Sequence, residues 1–193
     1  MSESIDPAAL GGTPGLPDEC FEHDGLITKR QQRASAFALL RPIEGQLLWD
    51  VGTGSGAMAI EWCRAAPGAR AIGVERNPER AKRARRNAAR LAPGRVEVLL
   101  GEAAEILPGL PAPDAVFIGG GVSDGVLGAC WAALGTGGRI VAHGVTLETE
   151  ALLAGYCRTH GGSLTRLMAR PTPTLSSRSR TRAASTRPSS SRT

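Results

Sequence analysis

The feature that most constrains the fold is an apolar run that ends in three alternating glycines and continues into a segment of helical character. The run is Leu47–Val51, the glycines are Gly52, Gly54 and Gly56, and the segment after them begins at Ala57. An apolar stretch that stops at glycines predicts a buried strand entering a tight turn, with a helix after it. Because glycines let the backbone approach a ligand and leave helical N–H groups pointing at it, the turn predicts a site for a nucleotide-like molecule.

Two classes of nucleotide-binding fold share such a turn. Gly52, Gly54 and Ala57 satisfy the spacing of dinucleotide-binding proteins. Asp50, however, lies at the carboxyl end of the strand, where an acid repels a pyrophosphate and suits an ammonium group. The pattern Asp-x-Gly-x-Gly-x-Gly resembles the first motif of class I S-adenosylmethionine-dependent methyltransferases, whose cofactor carries an amine and a sulfonium and no phosphate. We therefore expect the cofactor to be bound by Asp50, Gly52, Thr53, Gly54, Ser55 and Gly56. The alternative is that the glycines serve only the turn.

Further apolar segments alternate with segments of helical character along the rest of the chain. Strands are predicted at 70–75, 96–100, 114–118 and 137–142, with a sixth beginning at 162, and helices at 78–91, 124–134 and 147 to about 160. This alternation predicts an α/β protein of the Rossmann-like, class I methyltransferase type, whose mostly parallel sheet carries helices on both faces.

Polar or glycine-rich residues follow several of these predicted strands. Glu75 ends the second strand about 20 residues after Gly52, where a ribose-binding carboxylate is expected. The turn at Gly101–Ala104 follows the third strand, where an adenine ring could lie, and Gly119–Gly121 follows the fourth. Since ligands of such sheets bind outside the carboxyl ends of the strands, these segments predict one cofactor site.

The remaining segments are assigned from their composition and capping residues. Residues 1–17 are rich in proline, glycine and small residues and predict a flexible arm. Thr28 can cap a helix from Lys29 to about Leu40, and Asn77 with Pro78 can begin the helix at 78–91. The arginines of that helix are most simply its solvated face, since no aromatic residues accompany them.

Charge and cysteine content restrict the partners. The net charge is +5, but six of the 23 basic residues lie between Arg170 and Thr193, where no acid occurs. The rest of the chain is nearly neutral, so we expect no nucleic-acid partner. The tail 170–193 is rich in serine, threonine, arginine and proline, which predicts disorder. Four widely spaced cysteines predict reduced thiols and no metal site.

The chain has no apolar run near the ~20 residues of a membrane helix, and its first residues carry no secretory pattern. We expect no membrane partner and a cytoplasmic location.

Several motifs together resemble the decarboxylating precorrin-6Y methyltransferases of cobalamin biosynthesis. They include Thr28-Lys29-Arg30, Glu75-Arg76-Asn77-Pro78 and Val145-Thr146-Leu147-Glu148-Thr149, which are not general methyltransferase motifs. The resemblance covers about residues 16–169 and implies methylation of carbon 15 of a precorrin, with loss of carbon dioxide from the ring C acetate. It also implies a homotetramer and a cofactor site that includes Thr28, Gly52–Gly56, Glu75 and Ala103.

The same resemblance suggests where the substrate binds. Lys29, Arg30 and Arg33 could pair with the many carboxylates of a precorrin, although a solvated first helical turn explains them equally well. Gly119, Gly120 and Gly121 would open space beside the cofactor, and His143 stands where the family usually has asparagine. After residue 169 we expect the basic tail to replace the family's closing strand. No catalytic acid or base is predicted, because an electron-rich ring carbon needs positioning more than a base.

Two other functions remain open at this point. One is a class I methyltransferase that acts on another small molecule. The other is a non-enzymatic nucleic-acid binder that uses its arginine-rich tail.

Overall fold

A computed structural model describes residues 7–167, and within this range five parallel strands form a sheet in the order β3-β2-β1-β4-β5. The strands are β1 (Leu47–Val51), β2 (Arg70–Glu75), β3 (Val96–Leu100), β4 (Ala115–Ile118) and β5 (Arg139–Ala142). The helices are α1 (Arg30–Leu40), α2 (Ala57–Ala65), α3 (Pro78–Leu91), α4 (Ala103–Ile106), α5 (Asp124–Ala133) and α6 (Leu147–His160). Short 3-10 helices lie at Pro7–Leu10, Asp18–Cys20 and Leu107–Gly109. The predicted α/β fold is confirmed.

The two faces of the sheet bury separate apolar clusters. Alternate residues of β1 point to opposite faces, so Leu48 packs with α1 and α2 while Trp49 packs with α5 on the other side. Both residues are at most 1% exposed. Because β1 is covered on both faces, it is apolar throughout except at Asp50, and that exception marks the site described below.

The strand order reverses between β1 and β4. The chain builds outward from β1 through β2 to β3 and then returns to β4 on the other side of β1. In parallel α/β sheets such a reversal leaves a crevice at the carboxyl ends of the two central strands. The glycine turns after β1 and β4 therefore meet at the same place.

Of the two predicted helix caps, the cap of α3 is observed and the cap of α1 is not. Asn77 caps α3 as predicted, since its side chain accepts hydrogen bonds from the N–H groups of Glu79 and Arg80. The prediction that Thr28 caps α1 is wrong. The N-cap is Lys29, whose N–H donates to Gln32 Oε1 over 2.9 Å.

The strand predicted to begin at residue 162 is also not observed, because residues 161–167 have no regular secondary structure. Within the described range β5 is the edge of the sheet and is only half-buried. Two predictions, the disordered tail and the replacement of the family's closing strand, concern residues 168–193, which lie outside the described residues.

The segment before α1 differs from the loose arm that composition predicts. Leu16 is 3% exposed, and the N–H groups of Gly15 and Leu16 donate to the carboxylate of Glu61 on α2. Arg33 on α1 donates to the same carboxylate over 2.8 Å and to the carbonyl of Leu16. A buried ion pair thus fixes residues 15–16, because its carboxylate satisfies backbone N–H groups that are buried away from water.

Two further expectations concern the whole described range. Cys20, Cys63, Cys130 and Cys157 are unpaired, as predicted. No helix between residues 7 and 167 combines the length and apolar character that crossing a membrane requires.

Candidate functional site

A cavity of about 1130 Å³ opens at the carboxyl ends of the central strands. Most of the predicted cofactor residues line it, namely Thr28, Asp50, Gly52, Thr53, Gly54, Ser55, Glu75 and Ala103. Gly56 does not. A Cβ built on Gly56 would lie 3.4 Å from atoms of Ala84 and Ile60, so its backbone packs between α2 and α3.

The glycine turn after β1 needs its glycines for two separate reasons. Gly52, Gly54 and Gly56 all have positive φ angles, which only glycine adopts readily. In addition, a Cβ on Gly52 would lie 2.8 Å from the carbonyl oxygen of Gly120. The turns after β1 and β4 are therefore in direct backbone contact, and together they form the floor of the cavity.

Asp50 is a buried carboxylate with one oxygen left without a partner. Its Oδ2 accepts from Thr53 Oγ1 at 2.6 Å and from the N–H of Ala59 at 3.1 Å. Its Oδ1 is buried and accepts no hydrogen bond. Burial raises the pKa of Asp50 to about 6, against the two hydrogen bonds that lower it. The site therefore holds an acceptor that a positively charged donor would stabilise.

Glu75 holds the glycine turn in shape. Its Oε2 accepts from the N–H of Gly54 and its Oε1 accepts from the N–H of Asn77, each over 2.9 Å. The side chain is 5% exposed and lines the cavity. Each carboxylate oxygen has two lone pairs, so both oxygens can accept one further hydrogen bond from a ligand hydroxyl.

The predicted substrate residues divide into two groups. Lys29 lines the cavity with a half-exposed side chain, and so do Gly119–Gly121 and His143. No heavy atom lies within 4 Å of a Cβ built on Gly120 or Gly121, so the space above them is open. Arg30 is exposed and does not line the cavity, since α1 turns it toward Gly15.

His143 lies edge-on against the ring of Phe117, with ring centroids 4.9 Å apart. Burial lowers the pKa of His143, which favours a neutral imidazole. A neutral ring beside an aromatic wall can donate or accept a hydrogen bond but adds no charge to the cavity.

The suggestion that Arg33 contacts substrate is wrong. Its side chain is fully buried and pairs with Glu61 at 2.8 Å and with Asp18 at 2.7 Å. It also donates to the carbonyl of Thr28, so it supports a cavity residue without lining the cavity. The signal that could have revealed this pair is Glu61 itself, an acid inside the otherwise apolar start of α2.

Asn87 on α3 is a second residue that sequence reasoning missed. It is fully buried, and its side chain bonds to the backbone of Glu22 and to the carbonyl of Ser55. The sequence offered one indication, a neutral amide among the arginines of α3. The arginines themselves are not only a solvated face, since Arg80, Arg83 and Arg86 pair with Asp24 and Glu22.

Comparison with known proteins identifies one family to which this chain is similar. The family model described as "Precorrin methyltransferase domain" matches residues 19–186, which extends beyond residue 169, where we expected the resemblance to end.

A relative from Sinorhizobium sp, named precorrin-6Y C(5,15)-methyltransferase [decarboxylating], is 51% identical over 79% of this chain and 37% of its own length. A relative from Pyrobaculum aerophilum, named probable cobalt-precorrin-6B C(15)-methyltransferase (decarboxylating), is 36% identical over 77% of this chain and 79% of its own. The chain thus spans less than half of the first relative and most of the second.

Among solved structures, the C-terminal domain of precorrin-6Y C5,15-methyltransferase from Rhodobacter capsulatus is similar, with a TM-score of 0.77 and 43% identity. The similarity covers 86% of this chain and 91% of that domain. The sheet, the cavity at its reversal point and the extent of the match lead to one conclusion: this chain belongs to the precorrin methyltransferase family.

Proposed function

We propose that this chain transfers a methyl group from S-adenosylmethionine to carbon 15 of a precorrin-6Y type macrocycle, with loss of carbon dioxide from the ring C acetate. The family match supports this reaction, as do the names of the relatives. The observation that carries it is the cavity in which Asp50, Glu75 and the glycine turns converge.

The cofactor fits the chemistry of the residues at this cavity. Asp50 has an unpaired buried oxygen, which suits the ammonium of the methionine moiety. Glu75 has lone pairs left for the two ribose hydroxyls, and Ala103 begins α4 beside the place expected for the adenine. When bound, S-adenosylmethionine supplies an electrophilic methyl group on a sulfonium. Thr28 and residues 52–56 would complete its binding site.

The contribution of the protein to the reaction is positioning. Gly120 and Gly121 leave open space beside the proposed cofactor residues, and the ring of Phe117 with the neutral His143 forms a wall there. A macrocycle held against that wall presents its ring carbon in a fixed orientation, which supplies much of the rate enhancement when the nucleophile is already electron-rich. No residue is assigned as acid or base.

Lys29 is the proposed contact for a substrate carboxylate, because its half-exposed side chain lines the cavity and its ion pair with Asp18 is long, with 3.8 Å between Nζ and Oδ2. Anaerobic turnover of precorrin-6Y, followed by mass spectrometry for methyl gain and carbon dioxide loss, tests the function. Cofactor binding without turnover would favour another small-molecule substrate. Absence of cofactor binding together with salt-dependent nucleic-acid binding would overturn the enzyme assignment.

A pair of neighbouring variants tests the role of Lys29. We expect Lys29→Gln to raise KM for the precorrin about 5- to 50-fold through loss of one charge-assisted contact. Arg30→Gln is the matched control, since Arg30 does not line the cavity. Equal effects of the two changes would show that only the overall charge matters.

We also propose a cytoplasmic homotetramer of this chain, in which residues 18–169 form the methyltransferase domain. The unpaired cysteines fit a reducing compartment. Trp131, Leu39 and Ile43 are 43–54% exposed, which offers apolar surface for contacts between subunits. Light scattering coupled to size exclusion measures the assembly, and a monomer at micromolar concentration would contradict it.

A further inference from the structure

One wall of the cavity is a segment that we call the strap, residues 20–29, which leads from the 3-10 helix at Asp18–Cys20 to α1. Gly25–Lys29 of the strap lines the cavity. A Cβ built on Gly54 would lie 3.9 Å from the carbonyl oxygen of Leu26, so the strap passes beside the glycine turn. Ile27 is 8% exposed and Leu26 is 65% exposed. Cys20, Phe21 and Ile27 are 4–8% exposed and anchor the strap in the core, whereas the stretch between them, residues 22–26, is mostly exposed.

A buried side chain joins the strap to the glycine turn. The amide oxygen of Asn87 accepts from the N–H of Glu22, and its Nδ2 donates to the carbonyl of the same residue, each over 2.9 Å. The same Nδ2 donates to the carbonyl of Ser55 over 2.9 Å. One residue of α3 therefore fixes the distance between the strap and the turn that carries the proposed cofactor site.

Ion pairs hold the strap to the exposed side of α3. Asp24 Oδ2 accepts from Arg80 Nε at 2.9 Å and from Arg83 Nη2 at 3.1 Å. Glu22 Oε2 accepts both Nε and Nη2 of Arg86, at 2.9 Å and 2.7 Å. The five side chains are 24–56% exposed, so dissolved salt screens these pairs. Exposed pairs are individually weak, which allows the exposed stretch of the strap, residues 22–26, to separate from α3 without unfolding the sheet.

We propose that separation of the strap from α3 limits release of the cofactor, and that Asn87 and the three arginines paired with the strap are positioning residues. This inference rests on the S-adenosylmethionine binding proposed above. The ion pairs make the hold sensitive to ionic strength, whereas the hydrogen bonds of the buried Asn87 do not depend on salt. Gly25–Lys29 lines the cavity, so a ligand that leaves on this side needs the strap to move aside, and contacts that hold the strap to α3 slow that movement.

The test measures the release of radiolabelled S-adenosylmethionine chased by an excess of unlabelled compound. We expect the double variant Glu22→Gln/Asp24→Asn to release it about 3- to 30-fold faster than the wild type at low ionic strength, because three weak ion pairs are lost. Raising the salt concentration about tenfold should speed release from the wild type and leave the double variant nearly unchanged. Asp24→Glu should retain the salt dependence.

Glu79→Gln is the matched control. It removes the exposed pair of Glu79 with Lys82 on the same helix, which does not touch the strap. This variant should release the cofactor at the wild-type rate. A rate increase equal to that of the double variant would overturn the proposal, since it would show a general effect of charge on α3.

Amide hydrogen exchange of the ligand-free protein supplies a readout independent of cofactor binding. Exchange at residues 22–28 should rise in the double variant and in Asn87→Ala, with β1 and β4 still protected. If Asn87→Ala fails to fold, the double variant decides alone. Unchanged exchange and unchanged release in the double variant would refute the strap proposal, whereas a wild type that binds no cofactor would refute the proposed function instead.

Discussion

Neutralising Asp50 should make the ligand-free protein more stable at neutral pH. Burial raises the pKa of Asp50 to about 6, above the value of about 3.9 for an unfolded aspartate. One pH unit of such displacement corresponds to about 1.4 kcal/mol, so the ionised carboxylate costs the folded state about 3 kcal/mol above pH 6. Asp50→Asn removes that charge and keeps an oxygen that can accept from Thr53 or Ala59.

The size of this effect depends on pH in a defined window. Below about pH 4 the carboxyl is protonated in both states, so the wild type and Asp50→Asn should be about equally stable. Between about pH 4 and 6 the unfolded state loses its proton first, and the wild type loses stability relative to the variant. At pH 8 the variant should melt up to about 6 to 12 °C higher, at roughly 2–4 °C per kcal/mol for a chain of this size.

Thermal unfolding at pH 4, 6 and 8, with and without S-adenosylhomocysteine, provides the measurement. The variant should bind this ligand about 10- to 100-fold more weakly, because a charge-assisted hydrogen bond is worth about 1.5–3 kcal/mol. Asp24→Asn is the control of opposite sign. Its hydrogen bond with Arg80 lowers the pKa of Asp24, so this variant should lose stability at pH 8. A stability gain of Asp50→Asn that is the same at pH 4 and pH 8 would refute the reasoning.

Three other predictions use neighbouring parts of the structure. Gly52→Ala should abolish cofactor binding and lower the free energy of unfolding by several kcal/mol, because its Cβ would lie 2.8 Å from a carbonyl oxygen. Gly121 also has a φ of 70° but open space around it, so Gly121→Ala should cost only the backbone strain. Calorimetry compares the stability of the two variants and their cofactor binding. Arg33→Met should destabilise the fold by about 3–5 kcal/mol, since it leaves Glu61 buried without its cation. Urea titration measures this loss, and the double variant Arg33→Met/Glu61→Gln should recover part of it. His143 should titrate below its ordinary pKa of about 6.5 in an NMR experiment, so that activity above pH 7 does not depend on its charge.

The cavity-lining residues at the ends of the strands could be predicted because they are tied to local patterns. Strand ends, glycine spacing and a carboxylate at a strand end are all visible within a few positions, which is why the sequence predicts that Asp50, Gly52 and Glu75 lie at one cavity. The roles of Arg33 and Asn87 were not visible, because each depends on partners distant in sequence. An arginine near a binding motif has the same local signature whether it faces substrate or a buried acid.

The same limit explains the segment errors. Residues 15–16 look flexible by composition, yet they are fixed by Glu61 on a helix far along the chain. Residues 162–167 have the composition of a strand, but a strand forms only when a neighbour pairs with its backbone, and within the described range β5 remains an edge.

The sequence by itself determined the alternation of strands and helices, the glycine turn and the acids at the strand ends, since each follows from local periodicity and backbone freedom. Only the tertiary structure decided which charged residues face the cavity and which are buried in pairs. In the tertiary structure Gly52 contacts Gly120, and Lys29 lines the cavity whereas Arg30 does not. Arginines of α3 form ion pairs with the strap. Ion pairs and close backbone contacts join residues far apart in the chain, so their partners are chosen by packing.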